Sequence, residues 1–377
     1  MQIHGPNELL ADVLHAGRCV GCGACINICP YFKTYKGKTA MLFACSSETG
    51  RCHAFCPKTE VDLDALSQIW RNQPYPEAPL GTYQEILMAR AGVRVGDGAF
   101  QDGGTVSALM MYALDSSVID AAALTGREGL VPAPGLALRA DEVKAYAASK
   151  YTAAPTLAAL NEGANRGFRQ MGVVGTPCQI TAVAQMRSNP LGREDFIDPV
   201  ALSVGLFCTW SLDTRGLLAL IEKLAPGENV RKMAIPPPPA GILVVETDAR
   251  RLEISLDEIR HLVPEGCGIC PDMTAEWADL SVGAMEGAPD WNTLIIRSEF
   301  GDRLVKKAIA AGFLETAEFP AESRAHLETA ALAKKRRALE KARADGLLNT
   351  AGEEARAALR IRPETIEKLI KTGKEEA

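Results

Sequence analysis

The chain has 377 residues, 47% hydrophobic and 23% charged, a balance ordinary for a globular protein with more than one domain. A net charge of −6 and a pI near 5.6 argue against a nucleic-acid or anionic-membrane partner. No apolar run approaches the roughly eighteen residues of a membrane span, and the opening MQIHGPNELLADVLHAG has neither a basic nor an apolar leader. The eleven cysteines therefore read as cytoplasmic thiols, held by metal rather than paired as disulfides.

Residues 6 to 18 predict a short amphipathic helix that delivers the chain to CVGCGACINICP, from Cys19 to Pro30. Cys19, Cys22, Cys25 and Cys29 stand at C-x2-C-x2-C-x3-C, the run by which bacterial-type ferredoxins hold cubane iron–sulfur clusters. Gly21, Gly23 and Ala24 are small enough to let three thiolates converge while the fourth points towards a neighbouring cluster. Zinc also uses C-x2-C pairs but fits such tight spacing poorly. Further on, CSSETGRCHAFCP supplies Cys52, Cys56 and Pro57 as the end of a second such motif, with Cys45 near its first position. Its usual second cysteine is missing. Crossed wiring assigns Cys19, Cys22, Cys25 and Cys56 to one cluster and leaves Cys29, Cys45 and Cys52 for another. His53, Ser46, Glu48 or water would complete that second site, or it holds a three-iron cluster, or there is one cluster and the spare thiols are simply buried.

After Lys58 a helical piece, VDLDALSQIWRNQ, gives way to Pro74, Pro76 and Pro79, read as an extended tether with a domain boundary near residue 80. GDGAFQDGG then runs into a helix whose Val106, Leu109, Met110, Ala113 and Leu114 form one buried stripe. A Gly-rich turn at a helix start offers free N–H groups to a phosphate, although many such turns are structural and no G-x-G-x-x-G stands here. AAALTG predicts a buried strand. ADEVKAYAASKYT predicts a helix ending in Ser149, Lys150, Tyr151 and Thr152, groups suited to a flavin's phosphates and ring or else a solvated helix end.

FRQMGVVGTPCQITAVAQM reads as strand, turn and helix with Cys178 at the turn, and VALSVGLFCTW as a strand ending at Cys208. Residues 226 to 240 read as an irregular, proline-rich connection and ILVVETDARRLEISLDEI as a hairpin. EGCGICPD adds Cys267 and Cys270. With Cys178 and Cys208 these are the only cysteines beyond the ferredoxin part, all at turns or strand ends, and four is the number a further cubane needs. Strand, loop, strand and helix follow from Ala278, and after Phe319 the chain predicts an exposed helix whose KKRR run is a solvated face, then a polar helical tail from Asn349.

GTYQEI, QDGGTVSALMMYAL, ASKYTAAP, GTPCQI, GLFC, GCGICPDMTAEWADLSVG and DWNTLIIRS occur in an order that resembles the beta subunit of coenzyme F-420-reducing hydrogenase. With the ferredoxin part in front, the chain is similar to the beta subunit of F-420-dependent formate dehydrogenase. The resemblance implies FAD, one 4Fe–4S cluster on Cys178, Cys208, Cys267 and Cys270, and a place where F-420 meets the flavin. It makes Gln101, Gly103, Gly104, Thr105, Ser149, Lys150 and Tyr151 flavin-contact candidates, with the Gly283 to Thr293 loop a weaker one.

The expected fold class is α+β: a ferredoxin-like iron–sulfur domain and linker at 1–80, a larger α/β flavin- and cluster-binding domain at 81–320, and a helical extension at 321–377. The expected function is an electron-transfer subunit with two or three 4Fe–4S clusters and FAD, exchanging hydride with coenzyme F-420. The chain shows no nickel–iron hydrogenase cysteine pairs and no molybdopterin-binding domain, so a catalytic hydrogenase or formate dehydrogenase subunit is expected in a hetero-oligomer. The alternatives are a flavin and iron–sulfur oxidoreductase or adaptor that serves ferredoxin or another redox partner, and a cysteine–zinc interaction module with no redox role.

Overall fold

The computed structural model describes residues 2–236, 240–350, 356 and 358–371. The fold is mixed α/β. Its frame is an eight-stranded sheet of β1 (Glu85–Ala91), β2 (Ala121–Glu128), β3 (Val131–Ala137), β4 (Met171–Gly175), β5 (Val200–Leu206), β6 (Leu280–Ala284), β7 (Asn292–Ile296) and β8 (Leu314–Glu318). Across the sheet the order is β8-β1-β7-β6-β5-β4-β2-β3. The neighbours β2–β4, β4–β5 and β5–β6 are parallel, and every other neighbouring pair is antiparallel. β4 is buried at all of its positions, as a strand covered on both faces must be, which is why MGVVG carries no polar residue.

Helices α1 (Thr105–Asp115), α2 (Thr156–Asn165), α3 (Pro177–Arg187) and α4 (Glu299–Ala310) pack on this sheet. The expected single stripe on α1 is too narrow. Ser107 to Ala113 are all buried, because the tight 3-10 turn Ala140–Tyr146 and α4 cover the sides away from the sheet. Ala140–Tyr146 is that turn, not the longer helix expected. The hairpin Ile242–Thr247 with Arg251–Ser255 forms as read, and Val230–Ala234 joins it as a third strand where only irregular chain was expected. Residues 237–239 of that proline-rich connection lie outside the described residues.

The cysteine loop of the N-terminal part lies on α2. Gly23 takes φ +86°, and a Cβ there would meet the Pro155 carbonyl at 2.6 Å, so the close approach demands glycine. Buried Asn161 of α2 donates to the carbonyls of Ala24 (3.1 Å) and Ile26 (2.7 Å), and the Leu157 N–H donates to the Cys22 carbonyl (3.1 Å). Asn161→Leu should therefore leave two loop carbonyls without that donor, at about 1–3 kcal/mol each. The check is denaturant unfolding together with iron retention; an unchanged midpoint and full iron would count against this role.

The chain from Lys58 to Gly81 is irregular around its prolines as expected, but it is no free tether. Val61, Leu63, Leu66 and Tyr75 share one core with α3, with Ile269 and Trp277, and with the C-terminal helices α5 (Ala321–Ala344) and α6 (Pro363–Lys371). Apolar area so placed holds these segments together without any covalent link. Val61–Asp62 also pairs in parallel with Leu359–Arg360, which pairs with Leu348–Asn349.

The reading of KKRR as a solvated face is overturned for its two lysines and holds for exposed Arg337. Ala331, Lys334, Lys335, Ala338, Leu339 and Ala342 fall on one side of α5 and are all buried. The two lysines go inside because the protein meets them with acceptors, described below. Of the tail expected from Asn349, residues 351–355, 357 and 372–377 lie outside the described residues.

Candidate functional site

Strand topology brings the second set of cysteines together. β4 and β5 are parallel neighbours, so the residues after their carboxyl ends, Cys178 in the first turn of α3 and Cys208, emerge side by side. α3 begins sharply: Pro177 occupies its first position and the Gln179 Oε1 accepts the Thr176 N–H at 2.8 Å. Cys267 and Cys270 arrive on the loop ahead of β6, which the Cys208 N–H fastens by donating to the Met273 carbonyl (2.9 Å). Burial pushes the Cys178 thiol up to about 11, helped by Cys270 and Cys267. Burial likewise pushes Cys208 up, against Lys334 and with Cys267, Cys178 and Cys270 adding to it.

The N-terminal thiols lie close to one another. Burial raises the Cys22 thiol, with Cys56, Cys178 and Cys25 adding to it. The same causes act on Cys25 through Cys56, Cys19 and Cys52, and on Cys56, up to about 12, through Cys19. Burial also takes Cys52 up to about 11, with Cys29 and Cys45 reinforcing it. Two cross-links in this pattern matter. Cys25 feels Cys52, and Cys22 feels Cys178, so the groups lie in a row: Cys29/Cys45/Cys52, then Cys19/Cys22/Cys25/Cys56, then Cys178/Cys208/Cys267/Cys270. The last two groups touch through backbone as well, since a Cβ on Gly266 would run into the Arg18 carbonyl.

Buried thiols that raise one another do not ionise together unless positive charge is set among them, which iron–sulfur cores supply. The donor sets therefore fit cubanes. Among the described residues no three His, Cys, Asp or Glu side chains gather as tightly as a single metal ion requires; a cubane spreads its four ligands over separate iron atoms. In the outermost group, His53 stays neutral, its ordinary 6.5 lowered to about 4 by burial and then by His4. Its Nδ1 accepts the His4 N–H at 3.4 Å.

The two flavin-candidate segments face each other. Asp102 of the QDGG loop acts electrostatically on Tyr151, and Lys144 donates to the Asp97 carbonyl at 2.9 Å, closing the 96–104 loop against 144–151. Gly104 takes φ +75° at the start of α1. Thr105 is fully buried and committed: its hydroxyl donates to the Ala89 carbonyl (2.8 Å) and its N–H to the Asn292 Oδ1 (3.1 Å), so neither is turned to a ligand. Gly103 packs against that same Asn292 and the Asp290 carbonyl. Gln101 differs, with a buried Oε1 that has no partner among the described residues. Lys150 is not solvated. Its Nζ donates to the carbonyls of Tyr146 (2.6 Å), Ala147 (2.8 Å) and Ala148 (2.8 Å), and burial, then Arg127, lowers it from 10.5 to about 8. Ser149 hydrogen-bonds Tyr151, whose hydroxyl accepts the Ile235 N–H (3.1 Å).

This region adjoins the inner cysteines. The Leu212 N–H donates to the Tyr151 carbonyl (2.8 Å), and neighbouring Ser211 lies 3.6 Å from the Cys267 sulfur. The two segments thus offer an orphan acceptor, a left-handed glycine and the cations Lys144 and Lys150, groups compatible with a phosphate-bearing ring cofactor.

Sequence reading missed the buried charges. Lys334 donates to the carbonyls of Cys208 and Asp272, both at 2.6 Å. Lys335 is paired with Glu276 (2.6 Å) and Tyr75 (2.7 Å). Lys58, also buried, lies beside Cys56 and Cys178. The helical spacing of the alanines around the KKRR run was the available signal for the first two.

Comparison with known proteins follows the same division. Residues 13–31 match a 4Fe-4S binding domain, 88–161 the N-terminal part of the coenzyme F-420 hydrogenase/dehydrogenase beta subunit, and 168–322 its C-terminal part. The chain is 37% identical over 243 residues to coenzyme F-420 hydrogenase subunit beta of Methanothermobacter thermautotrophicus, covering 63% of this chain and 85% of that one. It is 30% identical over 317 residues to the coenzyme F-420-dependent sulfite reductase of Methanocaldococcus jannaschii, covering 80% of this chain and 47% of the reductase. A subunit of the F-420-reducing [NiFe] hydrogenase complex of Methanosarcina barkeri superposes with a TM-score of 0.65 at 27% identity, covering 71% of this chain and 93% of that one. Among the described residues no helix is long and apolar enough to cross a membrane. On these matches the chain belongs to the coenzyme F-420 hydrogenase/dehydrogenase beta-subunit family of oxidoreductases.

Proposed function

We propose that the chain is the cytoplasmic electron-transfer subunit of a hydrogenase or formate dehydrogenase complex, holding three iron–sulfur clusters and FAD and using coenzyme F-420 as its two-electron partner. The observation that carries this reading is the succession of thiol groups from the N-terminal part to Cys267, whose sulfur lies 3.6 Å from Ser211, the neighbour of the Leu212 that donates to the Tyr151 carbonyl. Bound between the 96–104 loop and residues 149–151, FAD would supply the step between one-electron and two-electron chemistry. The chain's own residues hold and orient it. Gln101 offers its free acceptor, Gly104 keeps the backbone close, and Lys150, fixed by three carbonyls, keeps a cation nearby without swinging into the space. The family relationship supports F-420, since the relatives from M. thermautotrophicus and M. jannaschii are named for it.

The test is anaerobic quantitation of iron, sulfide and flavin in the purified chain, followed by reduced F-420. The expected result is about twelve irons and one FAD, with the flavin absorbance bleached by the coenzyme. About eight irons would empty the Cys29/Cys45/Cys52 site. A flavin that ignores F-420 would favour another redox partner, and colourless protein carrying zinc would end the redox reading.

A further inference from the structure

We propose that Lys334 sets the reduction potential of the cluster held by Cys178, Cys208, Cys267 and Cys270 above that of its neighbour on Cys19, Cys22, Cys25 and Cys56. The lysine comes from α5, of which all but the first two residues lie beyond the segment matched to the family, which ends at residue 322. It is 4% exposed, and its ammonium is anchored at 2.6 Å on the carbonyl of one ligand, Cys208, and at 2.6 Å on that of Asp272, two residues beyond another ligand.

Its charge is only partly offset, and by no contact ion pair. Lys335, the next residue, forms an ion pair with Glu276, whereas Lys334 has no carboxylate within ion-pair distance among the described residues. Asp272 acts on Lys334 electrostatically, but its two carboxylate oxygens face the N–H groups of Thr274, Ala275 and Glu276 at 2.8–2.9 Å and not the ammonium. Reduction adds one negative charge to a cluster, and a fixed cation in a dry interior stabilises the reduced form more than the oxidised form. Two hydroxyls act in the same direction. Thr176 Oγ1 lies 3.3 Å from the Cys178 sulfur and Ser211 Oγ 3.6 Å from that of Cys267, and each becomes a donor once the thiolates are formed. Among the described residues no side-chain hydroxyl reaches the sulfurs of Cys19, Cys22, Cys25 or Cys56. Lys58 cannot create the difference, because it lies beside Cys56 and Cys178 and raises both clusters. The asymmetry rests on Lys334, and it directs electrons arriving from the ferredoxin part inward.

This inference rests on the cluster assignment alone, not on F-420, and the iron and sulfide content of the unaltered chain tests that assignment separately. The experiment is an anaerobic redox titration, followed by electron paramagnetic resonance, of the full chain and of Lys334→Met, Lys334→Gln and Lys334→Arg. In the neutral variants one midpoint should fall, with the others unmoved, by about tenfold in the reduction equilibrium, or about 59 mV for a one-electron couple. Lys334→Arg should restore it. Unmoved midpoints in an iron-replete neutral variant, or an arginine variant that behaves like methionine, would overturn the proposal. So would loss of iron from both neutral variants, which would make Lys334 a strut for the two carbonyls.

Discussion

Cys208→Ala should remove about four iron atoms per chain and abolish electron passage between the ferredoxin part and the flavin, while the N-terminal clusters stay intact. Cys208 is the ligand most deeply tied to the frame. It follows β5, its N–H holds the Met273 carbonyl (2.9 Å), and its carbonyl holds Lys334 (2.6 Å). With its thiol gone the core loses one of four ligands, and the Lys334 ammonium beside the gap, having no lone pair, cannot take its place. Because Cys22 of the N-terminal part lies beside Cys178 of this group, loss of the group should interrupt the proposed route. Cys45→Ala, at the other end of the row, is the control: it should empty only the outermost site. Iron analysis and stopped-flow reduction of each variant by dithionite and by reduced F-420 would separate the two. Retention of full iron by Cys208→Ala would break the assignment.

Lys335→Met should cost about 3–5 kcal/mol of stability, the usual penalty for leaving one partner of a buried ion pair alone. Lys335 is 1% exposed and Glu276 3%, and the Glu276 Oε2 has no hydrogen-bond partner among the described residues, so no other protein group stands ready to take over from the ammonium. Burial already pushes the Glu276 carboxyl above its ordinary value, against the pull of Lys335. Without the lysine it would bind a proton in the folded state that the unfolded chain releases above about 4.5. The folded state then binds more protons than the unfolded one, so the variant should lose stability as pH rises from acid towards neutral. Lys335→Met combined with Glu276→Met, of similar volume and no charge, should recover most of the loss. Urea unfolding at two pH values decides it; a single-variant loss under about 1 kcal/mol would mean the pair is hydrated.

The cysteine clusters were legible in sequence because cubane spacing is a local pattern: Cys19 to Cys29 announce themselves and lie in the segment matched to a 4Fe-4S binding domain, and Cys178, Cys208, Cys267 and Cys270 could be proposed together by count. The hairpin at 242–255 and the strand–helix unit around Cys178 were legible for the same reason, their periodicity being local. What escaped was non-local. Tyr75 looked like part of a linker because its partners, Trp277 and Lys335, are some two hundred or more residues away in sequence. Lys334 and Lys335 looked solvated because charge normally marks a surface, and only the acceptors of Cys208, Asp272, Glu276 and Tyr75 reverse that rule. Thr105 looked available to a phosphate until Asn292 and Ala89 were seen to occupy it.

The pairing of Val61–Asp62 with Leu359–Arg360 also fixes an order of events during synthesis. While the chain is still being made, the cysteines near its start have emerged long before the strand that closes beside Val61, and before Arg360 and Arg362 can meet Glu60 and Asp64. Lys334 arrives almost as late. The thiols at 19–56 are thus exposed to iron donors early, whereas the pocket around Cys178, Cys208, Cys267 and Cys270 gains its last wall only when residues 334–371 have left the ribosome. The two proposed cluster sites are therefore completed at different stages of chain growth, the inner one later than the outer.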